Sequence, residues 1–391
     1  MTACHICGFP DVARLHQEGT PFRLVSSDVQ PVSGTTEFCI CPNCLAVQKV
    51  ITPAWHAMAE RIYAAYDINH QSHGAEPMIF DSAKGSGPRA LILLRNFLEA
   101  VELPGEGRLL DIGCSNGNLL KSFHSLRPCW KLSGSELLDT WRDTILSLPG
   151  VEAFYVGASP VYAGYAGPYD VISLSHVLEH IPDPAAFLKA IAGQLGPRGR
   201  ILLALPNLRQ NPSDLIIADH CTHFDERSLR YVVERAGLTV ELLSAGLLPK
   251  ELVAVISRAA AVAQPAPESD DAGTHGKASK ERCLFYFRLL DDVRKAAREA
   301  ASEEHPFGIM GSSIAALWTM LELGRNVDFF VDEDPARIGH ELAGRPILGP
   351  AQVPAGALVF IPMSVPVAEK IIDRWRNLPI DFRFVATNRP V

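Results

Sequence analysis

Leu109-Leu110-Asp111-Ile112-Gly113-Cys114-Ser115-Asn116-Gly117 decides the fold: an apolar run closes on Asp111, and a loop with two glycines leads into a helical pattern from Asn118. Glycine is needed where the backbone takes positive φ and a ligand lies against main-chain N–H groups at a helix start. The stretch therefore reads as a nucleotide-cofactor loop. Residues 113–117 also spell G-x-S-x-G, a nucleophile elbow with Ser115 as attacking group, which occupies the same kind of strand-to-helix junction.

Working outward, strand and helix signals alternate. Apolar strand candidates are RLLDIG from Arg108, KLSGSEL from Lys131, VEAFYV from Val151, YDVISLSH from Tyr169 and RILLALPN from Arg200. Helical patterns at Asn118–Leu126, Thr140–Leu148 and Asp183–Leu195 lie between most of them. This is the pattern of a doubly wound α/β domain. LTVELLSAG from Leu238 and ELVAVISR from Glu251 follow without an intervening helix, which predicts a terminal antiparallel hairpin. The second strand ends at Glu136, 25 positions after Asp111. A carboxylate there can accept both ribose hydroxyls of a nucleoside. A hydrolase has no use for that acid, so Glu136 favours the cofactor reading.

The 391 residues suffice for two or three domains. Net charge is −8 with 47% hydrophobic residues, which gives no electrostatic reason to expect nucleic-acid binding. No apolar run reaches the roughly 18 residues of a membrane span, and no leader pattern opens the chain. A cytoplasmic protein is expected.

Five of nine cysteines fall in the first 44 residues. Cys4-His5-Ile6-Cys7 and Cys41-Pro42-Asn43-Cys44 are paired CxxC knuckles, a spacing that suits one tetrahedral zinc held by Cys4, Cys7, Cys41 and Cys44. Four thiolates leave no open position, so the zinc is expected to be structural, with Cys39, His5 and His16 as bystanders. The alternative is a pair of unmetallated turns. Few basic residues and no basic stripe argue against a nucleic-acid ribbon.

Helical spacing surrounds Trp55, Met58 and Ile62, then Leu91, Leu94, Phe97 and Leu98. Between them lies YDINHQSHGAE from Tyr66, either a solvated loop or a segment across an active-site mouth that contacts substrate through Tyr66, His70 or Ser72. Downstream, LIIADHCTHF from Leu215 sets Asp219-His220 and His223-Phe224 where α/β domains bind ligands. An imidazole beside a carboxylate can act as a general base. The plainer reading makes Asp219 a turn cap and packs the histidines.

A parallel sheet closed by a hairpin, with a glycine loop, an acidic strand end and the turn Val177-Leu178-Glu179-His180, resembles class I methyltransferases. That resemblance implies that Asp111, Gly113, Ser115, Gly117 and Glu136 contact S-adenosylmethionine and that His176 lies near the methyl-transfer centre. Ser115 replaces a frequent glycine, which suits a negative φ, and Ala158 replaces a frequent aspartate at the adenine. Glu179 and His180 are read as capping the turn.

Taken with the knuckle pair followed by Ala46-Val47-Gln48, the acidic-His pair and a second α/β unit, the whole chain resembles the sugar C-methyltransferase family. The family acts on nucleotide-linked keto-deoxysugars. Its mechanism implies His220 as the base that forms an enolate, Asp219 as its neighbour and His223 and Phe224 as substrate contacts. The family's Glu-His and Tyr-Phe are here Asp219-His220 and His223-Phe224.

Residues 259–281 have linker composition, and a helix is expected from about Arg282 to Glu303. A strand, a Gly308/Gly311 turn, a helix and a strand ending at Asp332 then form a further Rossmann-like unit. Asp332-x-x-Pro335 and Gly344-x-Pro346-Ile347 resemble the C-terminal domain of the same family, and also N-terminal domains of sugar acetyltransferases. The unit is either packing scaffold or holder of the substrate's nucleotide end.

The expected architecture is thus α/β: a zinc module at 1–53, a seven-stranded methyltransferase core at 54–258, a linker at 259–281 and a C-terminal Rossmann-like domain at 282–391. The leading expectation is carbon methylation of a nucleotide sugar. Alternatives are an O- or N-methyltransferase and a non-catalytic zinc-ribbon, nucleotide-binding protein.

Overall fold

A computed structural model describes residues 3–15, 20–67, 74–82, 85–157, 167–258, 272–301, 305–324, 327–363 and 365–384. Its centre is a sheet of β1 (Arg108–Ile112), β2 (Lys131–Glu136), β3 (Val151–Val156), β4 (Tyr169–Ser175), β5 (Leu195–Pro206), β6 (Leu238–Ser244) and β7 (Glu251–Arg258), in the order 3-2-1-4-5-7-6. β1 to β5 run parallel, with Val171 opposite Leu109. β7 is antiparallel to both β5 and β6. The expected hairpin is present.

Side chains alternate across the pleat, and both faces are covered. Leu109, Val171 and Leu202 face a core with Phe97, Leu120, Phe123 and Ile145. Leu110, Ile172 and Leu203 face another with Leu188, Ile191, Val232 and Val233. The apolar stripes of helices Arg89–Ala100, Asn118–Leu126, Pro184–Ala192 and Glu226–Arg235 supply these partners. β1 and β4 are adjacent at the middle of the sheet, so their carboxyl ends open a crevice at the switch in strand order.

The N-terminal strands Ala13–Leu15, Phe38–Ile40 and Val47–Lys49 form a separate sheet. Its fourth strand is Thr222–His223, with Thr222 opposite Gln48 and His223 opposite Val47. The knuckle-bearing segment and Thr222–His223 are thereby in one sheet, although Thr222 lies 174 positions after Gln48 in the sequence.

A third sheet holds Phe307–Met310, Phe329–Val331, Arg345–Leu348, Leu358–Ile361 and Asp381–Phe384, all parallel where paired, with Glu341–Leu342 antiparallel at one edge. Gly311 takes φ +90° after the first of these. At Gly308 a Cβ would lie 2.2 Å from the Phe329 ring, so that glycine serves close packing. Helix Ala272–Ala300 begins inside the stretch read as linker. Residues 259–271 lie outside the described residues, as do His16, His70, Ser72 and Ala158. No helix among the described residues is long and apolar enough to cross a membrane.

Candidate active site

The loop after β1 is built as its glycines require. Gly113 and Gly117 have φ of +73° and +81°, and a Cβ on either would come within 2.6 Å of a side chain, Val177 or Leu148. Ser115 also takes positive φ, +46°, which corrects the expectation of a negative one: the turn keeps its left-handed geometry without the glycine. Glu136 accepts from the Ser115 and Leu137 N–H groups, at 2.7 and 3.0 Å, and burial raises its pKa. Asp111 accepts from Ser173 Oγ at 2.7 Å, and burial pushes it up to about 7. Two carboxylates and a left-handed N–H loop thus converge at the helix start, a donor and acceptor set that fits a nucleoside.

His176, at the end of β4, joins an ionic cluster. Its Nδ1 lies 3.1 Å from Glu179 Oε1 and its Nε2 3.5 Å from Glu251 Oε2. Arg89 donates from Nε to Glu251 Oε1 and from Nη1 to Ser175 Oγ. Burial opposes charge on His176, but the Glu251 and Glu179 carboxylates together outweigh it and lift the imidazole to about 9. A histidine that stays protonated is a cation beside the cofactor loop rather than a base.

The next turn, Leu178–His180, brings Glu179 and His180 against Asp219 and His220. His180 Nδ1 lies 3.0 Å from Tyr63 Oη, 3.2 Å from the Asp219 carbonyl and 3.3 Å from its Oδ2. Asp219 also accepts from Ser27 N and Oγ at 2.9 and 2.6 Å. Burial works against its ionisation, yet the His180 hydrogen bond holds it well below the usual carboxylate range. The expected Asp219–His220 pairing is not formed. His220 Nδ1 instead meets Asp214 Oδ1 at 2.6 Å, because Pro212–Ile216 coils as a short helix and turns Asp214 inward. The other Asp214 oxygen holds His223 Nδ1, also at 2.6 Å. The rings of His180 and His220 meet edge to face, 4.6 Å between centroids.

Glu179 and His180 therefore do more than cap a turn. His223 is fully buried behind His220 and packs on Phe38, while Phe224 sits in the core under the knuckles with Leu229 and Val232, so neither reaches the crevice as the substrate contacts expected of them. Buried Lys49 donates to the carbonyls of Ile217 and Ala218 and fixes the loop that carries Asp219 and His220. Asp214, Ser27, Tyr63, Arg89 and Glu251 were not legible as site residues. Only the six-residue spacing of Asp214 from His220 offered a signal.

From Tyr66, 3.4 Å from Ser27 Oγ, the chain continues to Gly74, whose carbonyl accepts from Asn116 and Asn118 on the cofactor loop. Tyr66 thus joins Ser27, which donates to Asp219, and Gly74 joins the glycine loop and the helix start after it.

The four knuckle sulfurs lie within 4.8 Å of one another, with Cys4–Cys44 and Cys7–Cys41 at 3.4 Å. Cys7 and Cys44 N–H groups point at Cys4 and Cys41 Sγ. This donor set fits a tetrahedral thiophilic ion. Cys39 bonds to the Gln48 carbonyl and His5 Nδ1 to Thr222 Oγ1, so both stand aside from it.

Residues 82–243 match the methyltransferase domain family model. Ubiquinone biosynthesis O-methyltransferases are similar: that of Caulobacter sp. (strain K31) is 36% identical over 108 residues, 27% of this chain and 43% of the relative. That of Marinobacter nauticus is 30% identical over 131 residues, 31% of this chain and 51% of the relative. The chain thus spans about half the length of the curated relatives it matches. The solved mitomycin 7-O-methyltransferase shares 19% identity with a TM-score of 0.37, over 44% of this chain and 54% of that one. The likeness to the methyltransferase domain family thus covers residues 82–243, less than half of the chain.

Proposed function

We propose that the protein transfers a methyl group from S-adenosylmethionine to carbon of a nucleotide-linked keto-deoxysugar, with His220 as base. The observation that carries this reading is the pair of carboxylate-held histidines, His180–Asp219 and His220–Asp214, with His180 on the turn that follows Val177, the residue packed on Gly113 of the glycine loop. Asp111, Gly113, Ser115, Gly117 and Glu136 would hold the cofactor, which supplies an electrophilic methyl group. The chain's own part is alignment and proton removal. Asp214 fixes the His220 Nδ1–H, leaving Nε2 with the lone pair that takes a proton from the carbon next to the keto group. Asp219 and Tyr63 fix His180 beside it, where its charge faces the developing enolate oxygen. The four cysteines hold a structural zinc, and the C-terminal sheet supports the nucleotide end of the substrate.

The relatives' O-methyltransferase names favour a second reading, in which the same base deprotonates a hydroxyl. Turnover with labelled cofactor on a panel of nucleotide keto-sugars, followed by NMR of the product's methyl group, separates carbon from oxygen. His220→Ala is expected to abolish turnover while calorimetry still detects cofactor binding. Retained turnover would remove His220 as the base, and absent cofactor binding in the unaltered protein would overturn the methyltransferase reading.

A further inference from the structure

We infer that Glu179, His180 and His220 form a second cation site, one that takes a zinc-like divalent ion and, when filled, withdraws His220 from proton transfer. One donor atom from each lies within 4.8 Å of the other two. Donors on an ion at about 2.1 Å stand roughly 3.4 Å apart in a tetrahedron. Side-chain rotation of the order of an ångström closes the set.

Three independent features point to a ligand. Glu179 is 1% exposed, and its Oε2 is buried without a hydrogen-bond partner, while Oε1 is held by His176. A buried carboxylate oxygen left unpaired is costly, and a cation is the strongest partner it can find. Both histidines are hydrogen-bonded through Nδ1 alone among the described residues, His180 to Asp219 and Tyr63, His220 to Asp214. Carboxylate at Nδ1 with Nε2 left over is how metal-ligating histidines are oriented. The His180 side chain keeps 14% of its surface open, which gives the ion a way in. Two imidazoles and one carboxylate suit zinc or cobalt better than calcium or magnesium, which prefer all-oxygen shells. With His220 Nε2 on the ion, no lone pair remains for the acceptor proton. That last consequence rests on the proposed role of His220 as base.

Anaerobic titration of the metal-stripped full chain with Co2+ tests the site without reference to turnover. Binding at the thiolates gives intense sulfur-to-cobalt absorption, and binding at the nitrogen and oxygen donors adds only weak visible bands. Two equivalents are expected. In Glu179→Gln and in His180→Gln the second should weaken about 100-fold, while the sulfur bands report intact folding. A wild-type titration that stops at one equivalent, or a second equivalent indifferent to both substitutions, overturns the site. If the second ion binds and methyl transfer continues undiminished, the cation site stands and the base assignment of His220 fails. If no second ion binds and His220→Ala is inactive, the base stands and the cation site falls.

Discussion

Asp214 serves two histidines with one carboxylate, and this makes its replacement by asparagine informative. The amide has one oxygen, so it can accept Nδ1–H from only one ring and must donate to the other. One histidine is then forced into the opposite tautomer, with its proton on Nε2. For His220 that removes the lone pair the acceptor needs, and Asp214→Asn is expected to lower kcat about 100-fold with cofactor affinity unchanged by calorimetry. An unaltered kcat would dissociate Asp214 from the proton transfer. Ser115 gives a second prediction at this scale. An L-residue in the left-handed region costs about 1–2 kcal/mol, and glycine forfeits about 0.5–1 kcal/mol in chain entropy. Ser115→Gly should therefore raise stability by about 0.5–1 kcal/mol in urea melts, and a lower midpoint would contradict the loop conformation. His176 supplies a pH dependence. Burial opposes its charge, but the Glu251 and Glu179 carboxylates together raise it to about 9, above its ordinary 6.5. The stabilisation is complete below 6.5 and is lost as pH rises through about 9. Because 40% of the side chain is open to water, the slope is modest. His176→Gln should flatten the unfolding free energy between pH 6.5 and 9, whereas an unchanged slope would locate the pH dependence in another group.

Thr222–His223 is only two residues long, yet it ties the knuckle-bearing sheet to the loop that carries His220. His5, between Cys4 and Cys7, meets Thr222 Oγ1 at 2.9 Å, and its backbone N–H meets Gln48 Oε1 at the same distance. Thr222→Val keeps the shape and strands the buried His5 nitrogen. The expected cost is about 1–2 kcal/mol, together with a reduced kcat, since Thr222 lies between His220 and His223. Loss of stability without any change in turnover would show that the bracing does not reach the base. The central strands were legible because each is a short apolar run bounded by polar turns, and the hairpin because no helix separates its halves. The Thr222–His223 pairing was not legible, since two residues carry no periodicity and the partner is remote in sequence. Asp214 is hidden for a like reason, since adjacency in sequence points His220 to Asp219 instead. Asp219 lies in a turn, with the His220 N–H on the Ile217 carbonyl, and the two side chains of that turn take different partners. The cysteine knuckles came through intact because their spacing is local.

The N-terminal segment, the 208–216 stretch and the C-terminal sheet share one apolar core that includes Val25, Phe38, Leu215, Ile216, Phe287, Trp318 and Phe330. Phe22 lies at its centre, 6.2 Å from the Phe287 ring and 5.9 Å from Trp318, with the Arg294 guanidinium 5.5 Å over its face. Polar contacts seal the rim: Arg23 N–H donates to Glu322 and Arg294 to the Thr20 carbonyl. Separate domains on a chain would melt separately, but a core drawn from three segments couples them. A single unfolding transition is therefore expected, reported alike by tryptophan fluorescence and by the absorption of cobalt at the knuckles. Phe22→Ala should cost about 3–5 kcal/mol and shift both signals together. Leu215 and Ile216 follow directly on Asp214, so the cavity left by Phe22 opens beneath the carboxylate that orients His220. Below its melting temperature the variant should consequently lose kcat while holding the cofactor, since the glycine loop packs on a different core. Two resolved transitions in the unaltered protein, or a Phe22→Ala effect confined to one signal, would mean that the C-terminal sheet is carried by the rest of the molecule without stabilising its active site.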